Sequence, residues 1–187
     1  MGTNRAIDRA ELEALYRSYG ALVKRRARSI LGDDLEAQDA MQDVFLRVIG
    51  AMGEFRRQSQ PSTWLYRITT NLCLNRIRDS RRRREHLARI GEAETHAPRQ
   101  KSVPAEVRAT LFRILGSLDP ELAEIGIYYY VDELDQAEIA EMLNVSRRTI
   151  GYRLDRFRAE AQKIVEAAEP VAAAGASGVP KAGGKTG

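Results

Sequence analysis

One cysteine, two histidines and an aromatic content of 6% in 187 residues exclude several kinds of protein at the outset. A lone Cys73 rules out a disulfide within the chain and a multi-cysteine zinc site. At helical spacing it reads as a small core residue. His86 and His96 sit in polar surroundings without ligand partners, so no metal and no cofactor is expected. No apolar run approaches membrane-spanning length. The charged start "MGTNRAIDRAELEALYRSYG" lacks the apolar segment of a signal peptide, so a soluble cytoplasmic protein without membrane insertion is expected. There is no strand signal and no internal repeat. No nucleophile–base pair and no phosphate-cradling glycine loop is visible, which argues against an enzyme. The carboxylates of Asp33, Asp34, Glu36 and Asp39 suit a helix start, where the helix dipole favours negative charge.

Helical periodicity and clustered arginine are what the chain does have. Hydrophobic residues make up 43% and charged residues 30%, a mixture suited to helices with one wet face. Net charge is only +4, but the arginines are grouped, and a basic patch suits a polyanion. Residues 8–31 carry Leu12, Leu15, Tyr19, Leu22 and Val23 at spacings of three and four, continued by Ala27 and Ile30. Residues 35–49 place Ala37, Ala40, Met41, Val44, Phe45 and Val48 on one face. A third helix is expected to start at Ser62 or Thr63 as N-cap and run to about residue 90. The unpatterned stretch 91–104 reads as a flexible linker. Helix resumes near 105, and restarts with Asp119 as N-cap and Pro120 at the first helical position. Residues 135–168 read as two helices joined at "NVS", and 169–187 as a disordered Gly/Ala/Pro-rich tail. The expected fold is therefore all-α, with two small helical domains, 8–90 and 105–168, each with its own apolar set.

The second domain holds the most specific local pattern, "DQAEIAEMLNVSRRTIGYRLDRFRAEAQ". Ile139, Ala140 and Leu143 face a core from a short helix. Asn144 suits a left-handed turn, Val145 plugs it and Ser146 can cap the next helix. In that helix Ile150, Leu154, Phe157, Ala161 and Ile164 share one direction to within about 40° at about 100° per residue. Arg148, Tyr152, Asp155 and Arg156 point the other way. This is a helix-turn-helix, whose second helix can enter a major groove. Arg147, Arg153 and Arg158 flank the reading face, where phosphate contacts are made.

The stretch "PSTWLYRITTNLCLNRIRDSRRRRE" gives a second such row. Trp64, Arg67, Asn71, Asn75, Arg78 and Arg82 lie within about 60° of one line, opposite Leu65, Leu72, Cys73 and Ile77. An aromatic ring, two amides and several guanidiniums in line can stack on bases, bond their edges and hold a phosphate backbone. Trp64 taken alone also reads as a core residue near the helix start.

With these residues in place, the chain from about 10 to 165 resembles a bacterial RNA polymerase sigma factor of the extracytoplasmic-function type. "FRRQSQPSTWLYRITTNLCLNRIRDSRRR" resembles that family's −10 recognition segment, "LEAQDAMQDVFLRVI" the preceding helix that docks on polymerase, and the helix-turn-helix the module that reads the −35 element. The resemblance implies that Asp39, Gln42, Asp43, Phe45 and Arg47 hold core RNA polymerase, on its β′ clamp helices, with further contacts to the β subunit. It implies that the loop from Arg57 to Ser62, including Gln58 and Ser59, pockets a flipped base. Trp64, Arg67, Asn71 and Asn75 would border that strand, with Arg78 and the arginines 81–84, including Arg82, on its backbone. For the −35 duplex it implies Arg147, Arg148, Thr149, Tyr152, Arg153 and Arg156. Promoter DNA, core polymerase and an anti-sigma factor are the implied partners. The recognition helix departs from the family's common string at Gly151 and Tyr152. The rival reading is a helix-turn-helix regulator that works without polymerase docking; it leaves residues 35–84 unexplained.

Overall fold

Seven α-helices and one π-helical turn, with no strand, make up the residues described by a computed structural model of the chain: 9–51, 60–90 and 104–167. The expected base-pocket loop, with Arg57, Gln58 and Ser59, the linker up to residue 103 and the tail from 168 lie outside the described residues.

Helix α1 (Arg9–Leu31) ends at Gly32, whose φ of 75° is the left-handed conformation that glycine adopts without steric cost. The Asp33 carboxylate then accepts from the Leu35 and Glu36 amides at 2.8 and 3.0 Å and so starts α2 (Asp34–Ala51). Helix α3 (Pro61–Arg89) begins two to three residues earlier than the expected caps imply. Gln60 is the N-cap residue without a side-chain bond, and Pro61 takes the first helical position, where its missing N–H costs nothing. Val23, Ala27, Ile30 and Leu31 of α1, Ala37, Ala40, Met41, Val44 and Val48 of α2, and Leu65, Leu72, Leu74 and Ile77 of α3 are all buried together. Cys73 is among them, its thiol pushed up to about 12 by burial, so it is an inert core residue.

Helix α4 (Ala105–Ser117) is followed by the expected restart: the Asp119 carboxylate accepts from the Glu121 amide at 3.0 Å, and Pro120 opens α5 (Pro120–Gly126). The chain then widens into a π-helical turn (Ile127–Val131) before α6 (Gln136–Leu143) and α7 (Arg147–Glu166). Ile125, Tyr128, Ile139, Ala140, Ile150 and Leu154 form a small core of their own. Gly126 lies close under the Phe157 ring: a Cβ there would come within 2.2 Å of it, so the ring would have to shift.

The two helical units are present as expected, but their apolar sets are not self-sufficient. Leu115, Leu118, Leu122, Ala123 and Ile127 of the second unit are buried in the same cluster as the cores of α1 to α3. The reason lies in α3, which presents a second side to α4 and α5. At Gly116 of α4 the approach is close: an added Cβ would lie 3.2 Å from Arg81 Cδ and 3.6 Å from Ile77 Cγ2. A buried ion pair fastens the units, Arg26 of α1 to Asp132 beyond the π turn, with one contact of 2.7 Å between Nη2 and Oδ2.

Candidate nucleic-acid interface

The helix-turn-helix is built by local chemistry. Asp135 caps α6 by accepting from the Ala137 and Glu138 amides at 2.7 and 2.9 Å, while the Glu138 carboxylate accepts from the Asp135 amide at 2.8 Å. This reciprocal capping box holds the Asp135 carboxyl below the usual aspartate range. Its signal, Asp-x-x-Glu before an apolar run, is visible in "DQAE". Asn144 ends α6 at φ 54° and ψ 48°, the left-handed position expected of it. The Val145 amide closes the turn on the Ala140 carbonyl at 3.0 Å. Ser146 Oγ then accepts from the Thr149 amide at 3.1 Å and starts α7.

On α7, Ile150 and Leu154 are fully buried, which turns the opposite side outward. Arg147, Arg148, Tyr152, Asp155 and Arg156 are exposed, Tyr152 at 64%. Thr149 is half-buried. Arg156 meets only its helix neighbour Glu160, at 3.2 Å. Arg153 is different: its Nη2 lies 2.7 Å from the Glu121 carboxylate, so it braces α7 on α5. Arg158 donates to the Tyr130 hydroxyl at 2.9 Å and to Asp155 at 2.8 Å.

The row on α3 has another setting. Arg82, Arg83 and Arg84 are exposed, but Trp64, Arg67, Asn71, Asn75 and Arg78 are only half-exposed. Trp64 packs partly against the main core, which is the second of its two sequence readings. Asn71 Nδ2 donates to Glu124 Oε1 at 3.3 Å, and Arg67 Nε lies 3.9 Å from the same oxygen. Arg67 Nη1 reaches the Met142 carbonyl at 3.4 Å. Arg78 donates to Asn75 Oδ1 at 2.7 Å, and Arg81 bonds the Ser117 hydroxyl. Arg67 Nε and Arg78 Nη2 are buried without a hydrogen-bond partner. Within the row, Asn71 and Arg67 meet α5 and α6, although the Arg67 side chain stays 41% exposed, while Asn75 and Arg78 bond each other.

A third surface lies on α2. Leu35, Asp39, Gln42, Leu46 and Ile49 fall within about 40° of one line. Asp39 and Gln42 are exposed, and Leu35, Leu46 and Ile49 are 78%, 65% and 43% exposed. Arg47 is exposed at its edge. Two expected members sit elsewhere. Phe45 is buried in the core at 6%, its ring 4.9 Å from that of Tyr16, and so presents almost no surface. Asp43 accepts from Arg76 of α3 at 2.5 Å and ties the two helices. The leucines and Ile49 were missed; their signal was apolar side chains on α2 that fall off its core stripe. Glu36 sits beside this row with its carboxyl raised above the usual range, first by burial and then by Asp33.

Among the described residues no helix is long and apolar enough to cross a membrane. Residues 15–83 match the family model for Sigma-70 region 2, and residues 108–160 that for Sigma-70 region 4. The ECF RNA polymerase sigma factor SigW of Bacillus subtilis is 30% identical over 145 residues, covering 72% of this chain and 78% of that protein. SigM of Mycobacterium tuberculosis is 29% identical over 158 residues, covering 84% of this chain and 79% of its own. The sigma factor RpoE, solved in complex with the anti-sigma factor NepR from Bartonella quintana, has a TM-score of 0.47 at 17% identity, covering 83% of this chain and 97% of that one. With two sigma modules in order along one chain, and a relative of this identity matched over most of its length, the chain belongs to the extracytoplasmic-function sigma factors, which direct RNA polymerase to start transcription at specific promoters.

Proposed function

We propose that the three surfaces divide the work of promoter-specific initiation. The unit α1 to α3 docks core RNA polymerase through Asp39, Gln42, Leu46 and the edge residue Arg47, with Leu35 and Ile49 extending the row. Apolar side chains exposed in line are what a partner's helix covers. Trp64, Arg67, Asn71, Asn75 and Arg78 receive the unpaired strand near −10, and Arg82 holds its phosphates. The buried donors on Arg67 and Arg78 that lack partners support this, because an anionic backbone would satisfy them. Arg148, Tyr152 and Arg156 read the −35 duplex, with Arg147 and Thr149 near the start of α7. The protein acts in the cytoplasm, and an anti-sigma factor is a further partner.

The observation that carries this reading is the exposed row on α2. A helix-turn-helix regulator acting alone has no use for it, whereas a sigma factor must grip polymerase. Run-off transcription with purified core polymerase, on a template carrying the gene's own upstream region, tests it. Leu46→Asp should abolish the transcript and binding to core while leaving the helical content unchanged. A transcript that survives Leu46→Asp removes the α2 row from docking, whereas no transcript from the parent chain together with DNA binding that never requires polymerase favours the regulator reading.

A further inference from the structure

Gly151 stands inside α7, where glycine weakens a helix relative to alanine. Neither usual reason for a glycine is present. Its φ is not positive, and a Cβ there would clash with nothing: the nearest atom outside α7 that it would meet is Gln136 Oε1, at an ordinary 3.5 Å. The contrast is Gly126, where the same atom would fall 2.2 Å from a ring. Gln136 is the first residue of α6, and its backbone is pinned by the capping box of Asp135 and Glu138. Its half-buried side chain lies across Gly151 and makes no hydrogen bond with another described residue.

We propose that Gln136 is a base-reading residue: its carboxamide fills the place on α7 that a side chain at 151 would hold, and recognises an adenine of the −35 duplex beside the base pair read by Arg148. The inference rests on the assignment of α7 to that duplex. Position supports it first. Gly151 lies about 60° from Arg148 and about 40° from Asp155 around the helix, so a group seated on it borders the exposed side, not the core. The chemistry fits as well. A carboxamide sets a donor beside an acceptor, which matches N6 and N7 of adenine in the major groove. A phosphate offers acceptors alone and is better served by the arginines around it. The carboxamide is also unengaged, whereas Arg153 is tied to Glu121 and Arg158 to Tyr130 and Asp155. Finally, the one anion beside it is offset. The Asp135 carboxylate, bonded by the Glu138 and Ala137 amides, also feels Arg147 of α7, so a DNA strand can approach this corner. Glycine at 151 thus leaves α7 slim enough for a side chain of α6 to share its reading face.

The test uses the full chain bound to core polymerase and a promoter library randomised across the −35 element, with every other position fixed. The parent, Gln136→Ala, Gln136→Glu and, as control, Arg148→Ala are each put through the same selection. The parent should enrich adenine at one position. Gln136→Ala should lose about tenfold of that preference there and leave the other positions as they were, in line with one lost amide–base pair. Gln136→Glu should move the preference at that same position towards cytosine, whose N4 amino group donates to a carboxylate. Its added charge weakens every sequence alike and leaves the ratio between bases readable. Should Gln136→Ala lose its helical circular dichroism, Gln136→Glu, which keeps the length of the side chain, is read alone. A loss spread equally over all sequences would make Gln136 a backbone contact and overturn the proposal. Unchanged selection by both Gln136 variants, while Arg148→Ala relaxes selection, overturns this inference and leaves α7 as the reading helix. A parent holoenzyme with no −35 preference at all overturns it together with the assignment of α7.

Discussion

Helices α3 and α7 both set a row of polar and cationic side chains opposite a buried apolar stripe, yet the two rows meet different surroundings. On α7 the row is free: Tyr152 is 64% exposed, and Arg156 is engaged only within its own helix. On α3 the row is partly engaged by the second unit, with Asn71 bonded to Glu124 and Arg67 beside the same carboxylate though still 41% exposed. An amphipathic pattern therefore tells which side of a helix is not the local core. It does not tell whether that side meets water or another unit of the same chain.

The comparison can be broken most severely at α7. Leu154 is fully buried. Leu154→Ala should destabilise the helix-turn-helix by about 2–5 kcal/mol, the range for a leucine deleted from a packed interior. Chemical denaturation should register that loss, and duplex binding by holoenzyme should fail while the exposed α2 row still docks. A midpoint unchanged within error would mean that α7 is not seated as described.

A gentler change sharpens the comparison. Replacing Arg148, Tyr152 or Arg156 singly with alanine should each cost about 1–3 kcal/mol at the base it reads and relax selection at one position. Their exposure means that folding stability should hardly move. Selection from a randomised −35 library is the measurement, and an identical consensus from all three variants would remove α7 from base reading. Arg153→Ala should behave otherwise, losing stability first, because Arg153 braces α7 on Glu121.

The smallest effect concerns Glu36, whose carboxyl is raised above the ordinary value of 4.5 by partial desolvation and then by the neighbouring Asp33, although the residue is on the surface. The folded chain then binds more protons there than the unfolded chain in the window just above pH 4.5. Stability contributed at this position is accordingly present at lower pH and lost as pH rises through the folded value. Glu36→Gln should flatten that part of the stability profile, measured by urea unfolding at a series of pH values. Arg108 of α4 is one of the charges acting on Glu36, so the profile also reports on the packing of the second unit near α2.

What was legible in the sequence is what short-range chemistry decides. Asn144, Ser146, Asp119 and Pro120 announce their turns and caps because each needs only neighbours within a few residues. The stripe of Ile150 and Leu154 follows from helical geometry alone. The pairs Arg26–Asp132 and Asn71–Glu124 join residues 106 and 53 positions apart, and no local pattern encodes them. The core shared between units was missed for the same reason: Leu115 and Leu122 look like the inside of their own unit until α3 is placed beside them. Phe45 shows the reverse error. Its position on the core stripe was visible, but the family likeness drew it to the docking row; it is buried, and its neighbour Leu46 is the exposed side chain. The π-helical turn over "IYYYV" had no sequence signal, since bulky residues of this kind are compatible with several backbones.

The central claim is that the row on α3 holds the unpaired promoter strand once polymerase is bound. Permanganate reactivity of thymines near −10, in complexes of core polymerase with the parent chain or Asn71→Ala, addresses it most directly. The account predicts strong reactivity with the parent, clearly reduced reactivity with Asn71→Ala at equal binding to core polymerase, and partial recovery on a premelted template, since flipping and unpairing cost a few kcal/mol that such a template has already met. Normal opening by Asn71→Ala, or loss of core binding as complete as that of Leu46→Asp, would contradict it.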